Sequence, residues 1–75
     1  MKTFGKRLKA AREKAGFTSA QQFAHMLGLE PATYRKYERG AAEPNFETLT
    51  RICEHLQVTP DHLLPIAAAA GRQEA

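Results

Sequence analysis

Glycines stand at positions 16, 28 and 40 of this chain, one every twelve residues. Glycine adopts the left-handed backbone conformation without steric penalty, so it is common just past the end of a helix. Three such marks at one spacing leave room only for short helices joined by tight turns. The punctuation predicts helices over about Thr3 to Ala15, Ala20 to Leu27 and Pro31 to Arg39. The residues between agree. Phe4, Leu8, Ala11 and Ala15 recur at helical spacing, as do Ala20, Phe23, Ala24 and Leu27. Ser19 and Gln22 have the spacing of a capping box, in which hydroxyl and amide satisfy each other's backbone donors. Pro31 pre-sets the first turn of the third helix.

Beyond Gly40 the start signals continue. Asn45 is placed to cap a fourth helix, about Phe46 to Gln57, with Phe46, Leu49, Ile52, Cys53 and Leu56 on its apolar face. Thr59-Pro60-Asp61 combines a cap, a proline and a carboxylate, which opens a short fifth helix through Leu64 that Pro65 stops. No alternating strand pattern competes. The expected fold class is all-α, a compact five-helix bundle over residues 1–66 with a short tail at 67–75. A chain of 75 residues, 43% of them hydrophobic, is globular but near the size where one core supplies only ~3–5 kcal/mol.

Several classes of function fit poorly. The single cysteine, Cys53, permits no intrachain disulfide, and a reducing compartment is the default. No apolar run reaches the ~18 residues of a membrane span, and the basic N-terminus lacks the apolar stretch of a signal peptide. A soluble, cytoplasmic protein is expected. Catalysis is not. The only serine, Ser19, is read as a cap, and Cys53 falls on an apolar face. Cys53 and His55 point to different sides of one helix, so with His62 they make no metal site, and His25 lies on the outer side of the second helix. With no glycine-rich phosphate loop either, neither metal, cofactor nor small-molecule ligand is expected.

The net charge of +3 is unevenly spread: residues 1–44 carry +5 and residues 45–75 carry −2. Six basic residues fall in the first helix segment, where a solvated basic face is the plain reading. The third helix says more. Tyr34 and Tyr37 share one face with Glu38 at its edge, and their rings can be buried with the hydroxyls at the rim. Ala32, Lys36 and Arg39 lie opposite, with Thr33 and Arg35 on the flanks. Three of nine residues are cationic, which argues against a buried helix. Helix, glycine turn, helix is the unit that places its second helix in the DNA major groove.

Over about Lys6 to Leu64 the chain resembles the phage-repressor/Cro-like (XRE) helix-turn-helix domains. The resemblance rests on "RLKAAREKAGF", "FAHMLGLEPATYRKYERG" and "PNFETLTRICEHLQVTPDHLL". It implies a lambda-repressor-like, five-helix domain that binds double-stranded DNA as a homodimer and regulates transcription, chiefly by repression. Position by position, it puts Pro31, Ala32, Thr33, Arg35 and Lys36 in or beside the major groove. Ala32 and Lys36 match the base readers, with Arg35 beside them; Thr33 and Arg39 match phosphate contacts. Arg12 and Glu38 match a structural salt bridge between the first helix and the end of the third.

Three departures from the family pattern stand out. Ala20 occupies a place where glutamine often touches the phosphate backbone, leaving that contact to Gln21. Glu30 replaces a serine or threonine cap, and the loop Ala41-Ala42-Glu43 lacks the usual basic residues. The alternative is a protein-interaction module, antitoxin-like or an accessory subunit, on the same helices. Self-association is assigned to Leu63, Leu64 and Ile66, for which capping the core is the competing role.

Overall fold

The computed structural model of the chain describes residues 2–64. Five helices follow in order: α1 (Lys2–Lys14), α2 (Ala20–Met26), α3 (Pro31–Arg39), α4 (Phe46–Leu56) and α5 (Pro60–Leu63). Among the described residues there is no strand. The expected tail and Ile66 lie outside the described residues, as does the Pro65 stop.

Four helix ends use one device. The residue past the helix turns left-handed and donates its N–H three residues back, and the next residue donates five residues back. Gly16 and Phe17 close α1 this way onto Glu13 and Arg12; Gly28 and Leu29 close α2 onto His25 and Ala24; Gly40 and Ala41 close α3 onto Tyr37 and Lys36. At α4 the left-handed residue is Gln57, φ 58°, with Val58 donating to Cys53 at 3.0 Å. Gln57 therefore terminates α4 rather than continuing it. Phe17, Leu29 and Val58, each next after the turn, pack against the core and secure the exit direction.

The helix starts divide into two kinds. Ser19 Oγ accepts the Gln22 N–H at 3.1 Å, and Asn45 Oδ1 accepts the Thr48 N–H at 2.8 Å. Helix α3 begins on Pro31 after an extended Glu30 that makes no side-chain cap. Thr59 does not cap α5 either, because its hydroxyl donates to the Asp61 carboxylate instead.

One core runs through all five helices. Phe4, Leu8, Phe23, Leu27, Tyr34, Ile52 and Leu63 are completely or almost completely buried. Ala15, by contrast, is exposed, since it falls just past the last turn of α1. Phe46 is 88% exposed. As the first residue of α4 it stands at the rim of the stripe formed by Leu49, Ile52 and Leu56, beyond the cover of the other helices. Leu63 takes the second of its two expected roles. It is part of the core and unavailable as a self-association surface, while Leu64 is half-buried against that core.

A glycine inside α1 lets the backbones of α1 and α3 meet closely. A Cβ on Gly5 would stand 2.3 Å from the Glu38 carbonyl oxygen and 2.8 Å from that of Tyr37. The obstacle is the backbone of α3, which has no rotamer to yield. Overpacking against backbone that cannot yield puts the cost of alanine at Gly5 at about 3 kcal/mol. Less the ~1 kcal/mol that alanine gains in helix propensity, the protein should lose about 2 kcal/mol. Urea unfolding measures the balance; unchanged or increased stability would mean that α1 and α3 do not meet at this point.

Candidate nucleic-acid interface

Helices α2 and α3 form the compact unit in which the second helix can be presented to a partner. The Gly28 turn (φ 75°) joins them over four residues, and the half-buried Leu29 anchors the turn beside buried Ala24. Phe23 of α2 meets Tyr34 of α3 edge-to-face at 5.5 Å, and Tyr34 meets Tyr37 at 6.3 Å. Edge-to-face contact suits the aromatic quadrupoles, and the Phe23–Tyr34 contact, made between helices, fixes how α3 is rolled about its axis. From α4, Arg51 donates through Nη1 to the Leu27 carbonyl at 3.3 Å, a cation set at the negative end of α2.

The inner edge of α3 is tied to α1 by a buried charge. Arg12 is 3% exposed; its Nε donates to Glu38 Oε2 at 2.7 Å and its Nη1 to the Phe17 carbonyl at 2.6 Å. Tyr34 is fully buried and its hydroxyl donates to the same Glu38 oxygen at 2.6 Å. That hydroxyl is thus committed to the protein and does not stand at the rim for a water or phosphate. Burial disfavours the Arg12 charge, but the hydrogen bond and negative charge of Glu38 outweigh it and raise the guanidinium pKa. Burial, with the Glu38 hydrogen bond and charge adding to it, pushes the Tyr34 phenol far above its usual range.

With the inner edge fixed, the rest of α3 faces out. Ala32, Arg35, Lys36 and Arg39 are exposed; Thr33 is half-buried at the flank, and Gln21 is exposed in the first turn of α2. Arg35 and Arg39 reach round to a cleft of about 360 Å³ between α1, α2 and α3, where Lys9 and Ala20 also lie. Lys9 was not singled out by sequence reasoning, and neither were Gly5 and Arg51. A glycine inside an amphipathic helix was the one available signal, since it weakens the helix unless packing requires it.

The other chemically suggestive residues have structural occupations. Ser19 caps α2, and His55 Nδ1 lies 2.9 Å from the Arg51 carbonyl with its ring against Phe23. Cys53 is buried, and burial together with the nearby Asp61 charge pushes its thiol up. Among the described residues no group of histidine, cysteine and acidic side chains is arranged to hold a metal ion. Nor is any of their helices long and apolar enough to cross a membrane.

This architecture, a glycine-turned helix pair with its second helix turned cation-side out, is that of a helix-turn-helix domain. The helix-turn-helix family model (HTH_3) matches residues 8–63, and the chain belongs to that family. It is 46% identical over 61 residues to the SPbeta prophage-derived uncharacterized HTH-type transcriptional regulator YonR of Bacillus subtilis, covering 81% of this chain and 56% of that protein. Identity is 37% over 62 residues to the HTH-type transcriptional regulator ImmR of Bacillus subtilis, with 83% and 48% covered. To the Repressor protein C2 of Salmonella phage P22 it is 35% over 60 residues, with 80% and 27% covered. The chain thus spans about half the length of the first two of these curated relatives and about a quarter of the third. No solved structure matches the chain.

The buried bridge yields a direct prediction. Glu38→Gln leaves the Arg12 guanidinium buried without its counter-charge, at a cost of about 3 kcal/mol. That is comparable to the whole stability expected of a core this size. The midpoint of thermal unfolding should fall by about 10 °C or more; an unchanged midpoint would contradict the bridge.

Proposed function

We propose that the chain is a sequence-specific DNA-binding transcriptional regulator, acting as a repressor, that inserts α3 into the major groove. The observation that carries this reading is the division of α3. Tyr34, Tyr37 and Glu38 are committed to the protein, and Ala32, Arg35, Lys36 and Arg39 are all free to meet a duplex. An α-helix with its side chains is about 10–12 Å across and the major groove is about 12 Å wide, so the outward flank is a fit in size as well as in charge. The relatives named as regulators and repressors point the same way.

In this reading Lys36 donates to guanine O6 or N7, and Ala32 touches a thymine methyl, with Arg35 beside them. Thr33 and Arg39 hold phosphates, which sets register without reading sequence, and Gln21 makes a backbone contact from α2. The domain works as a homodimer on a pseudo-palindrome, without cofactor, metal or small-molecule ligand, and performs no catalysis. With Leu63 in the core, the exposed ring of Phe46 is the described apolar group best suited to self-association. Covering a duplex is enough to repress, since an occupied promoter excludes other proteins.

Selection from random duplexes tests the reading, and it should return paired half-sites about 34–36 Å apart. Lys36→Ala should relax preference at one base position by about 1–3 kcal/mol, while Arg39→Ala should weaken all sequences alike. Uniform losses from both substitutions would reject the assigned roles. Affinity that ignores salt would reject DNA binding and favour a protein partner.

A further inference from the structure

One charge at the exposed start of α3 has the wrong sign for a duplex. Glu30 precedes Pro31 in an extended conformation, stands exposed, and caps no N–H of its own helix. Among the described residues its carboxylate has neither an ion pair nor a hydrogen bond. The residues explain why. Short side chains make caps, and glutamate is not among them. Pro31 also removes the N–H of the first helical position. The helix dipole favours an anion here, but only weakly at an exposed site in salt. The carboxylate of Glu38, at the other end of α3, is by contrast engaged by Arg12 and Tyr34. Glu30 is thus a spare acceptor, close in the chain to the exposed Ala32.

The chemistry of the major groove leaves such an acceptor few partners. Phosphate oxygens, guanine O6 and N7, and thymine O4 all accept, and each opposes a carboxylate. Only the amino groups of cytosine (N4) and adenine (N6) donate there. On adenine the donor lies beside the N7 acceptor, which repels the second carboxylate oxygen. Cytosine presents its donor alone, so it is the better match. The leading residues of a helix inserted in the groove are those that reach base edges. Glu30 and Lys36 are separated by about 9 Å along α3, roughly two to three base pairs, so they meet different pairs.

We propose that Glu30 is a specificity-determining residue that accepts from cytosine N4 at one position of each half-site, apart from the position Lys36 reads. This rests on the DNA-binding reading above. Glu30 works by rejection as much as by attraction. With cytosine in place the carboxylate is satisfied; with guanine or thymine it is pressed against acceptors and has lost its water. A charge that weakens binding to most sequences and not to one widens the gap between right and wrong sites.

The test compares the wild type, Glu30→Ala and Glu30→Gln in the full chain. Binding to a duplex recovered by selection, and to every single-base-pair variant of it, is measured by fluorescence anisotropy at one salt concentration. The wild type should prefer cytosine at one position by about tenfold. In Glu30→Ala that preference should vanish, the preference attributed to Lys36 should persist, and affinity for unrelated duplex should rise. Glu30→Gln should move the preference at that position to adenine, because a side-chain amide pairs with adenine N6 and N7. A structural role for Glu30 would not produce that exchange. A base profile that is the same in the wild type and Glu30→Ala would overturn the assignment and leave the DNA-binding reading standing, even if overall affinity rises. Uniform loss of affinity with a lower melting point would make Glu30 a helix-start residue and overturn it too. A wild type whose duplex binding is absent or salt-independent would overturn both readings.

Discussion

The Arg12 guanidinium is the point on which the domain turns. It is removed from water, and a buried cation is tolerated only when its hydrogen-bonding and charge requirements are met together. Glu38 of α3 meets the charge, and the Phe17 carbonyl beyond the end of α1 takes a further N–H. The Arg12 carbonyl in turn accepts the Phe17 N–H at 3.1 Å, so side chain and backbone of one residue hold both ends of the turn. None of this is satisfied unless α1, its exit turn and α3 are all in place. A favourable roll of α3 is therefore built into the cost of misplacing it.

Helix α3 needs that support. Nine residues are too few for a stable helix in isolation, and its outward half contributes little to the core. The contact of Phe23 with Tyr34, together with the Arg12–Glu38 bridge, determines its roll, and the close approach at Gly5 determines how near α1 can lie. The cations on the other flank follow from helical periodicity once those two quantities are set. Positive charge is concentrated on one surface because the opposite surface is occupied by the fold's own bonds.

Much of this was legible in the residues, for identifiable reasons. Gly16, Gly28 and Gly40 mark helix ends because a left-handed backbone is a local requirement that glycine alone meets without strain. Ser19 and Asn45 accept first-turn N–H groups as expected because caps are also local, although only the Ser19 half of the expected box is present and Thr59 makes no cap. The partnership of Arg12 with Glu38, 26 residues apart, is invisible to periodicity and was suggested only by resemblance to a known family. What stayed hidden depends on tertiary placement. Phe46 sits on the rim of an apolar stripe, where a few tens of degrees separate core from solvent. Leu63 belongs to a four-residue helix, too short for a face to be read from pattern. Gly5 matters because of a backbone from another helix. Lys9 is one of six basic residues in α1, and only the packing of α3 distinguishes it from the others.

The buried Arg12–Glu38 tie turns the cationic flank of α3 outward, the face that the proposed function sets against a duplex. Backbone amide shifts, followed by NMR as a selected duplex is added to the isotopically labelled full chain, report which face the duplex meets. The largest changes should fall on Ala32, Arg35, Lys36 and Arg39, with Glu54 and His62 unmoved. Changes concentrated on α4 and α5, with the outward flank of α3 silent, would contradict it.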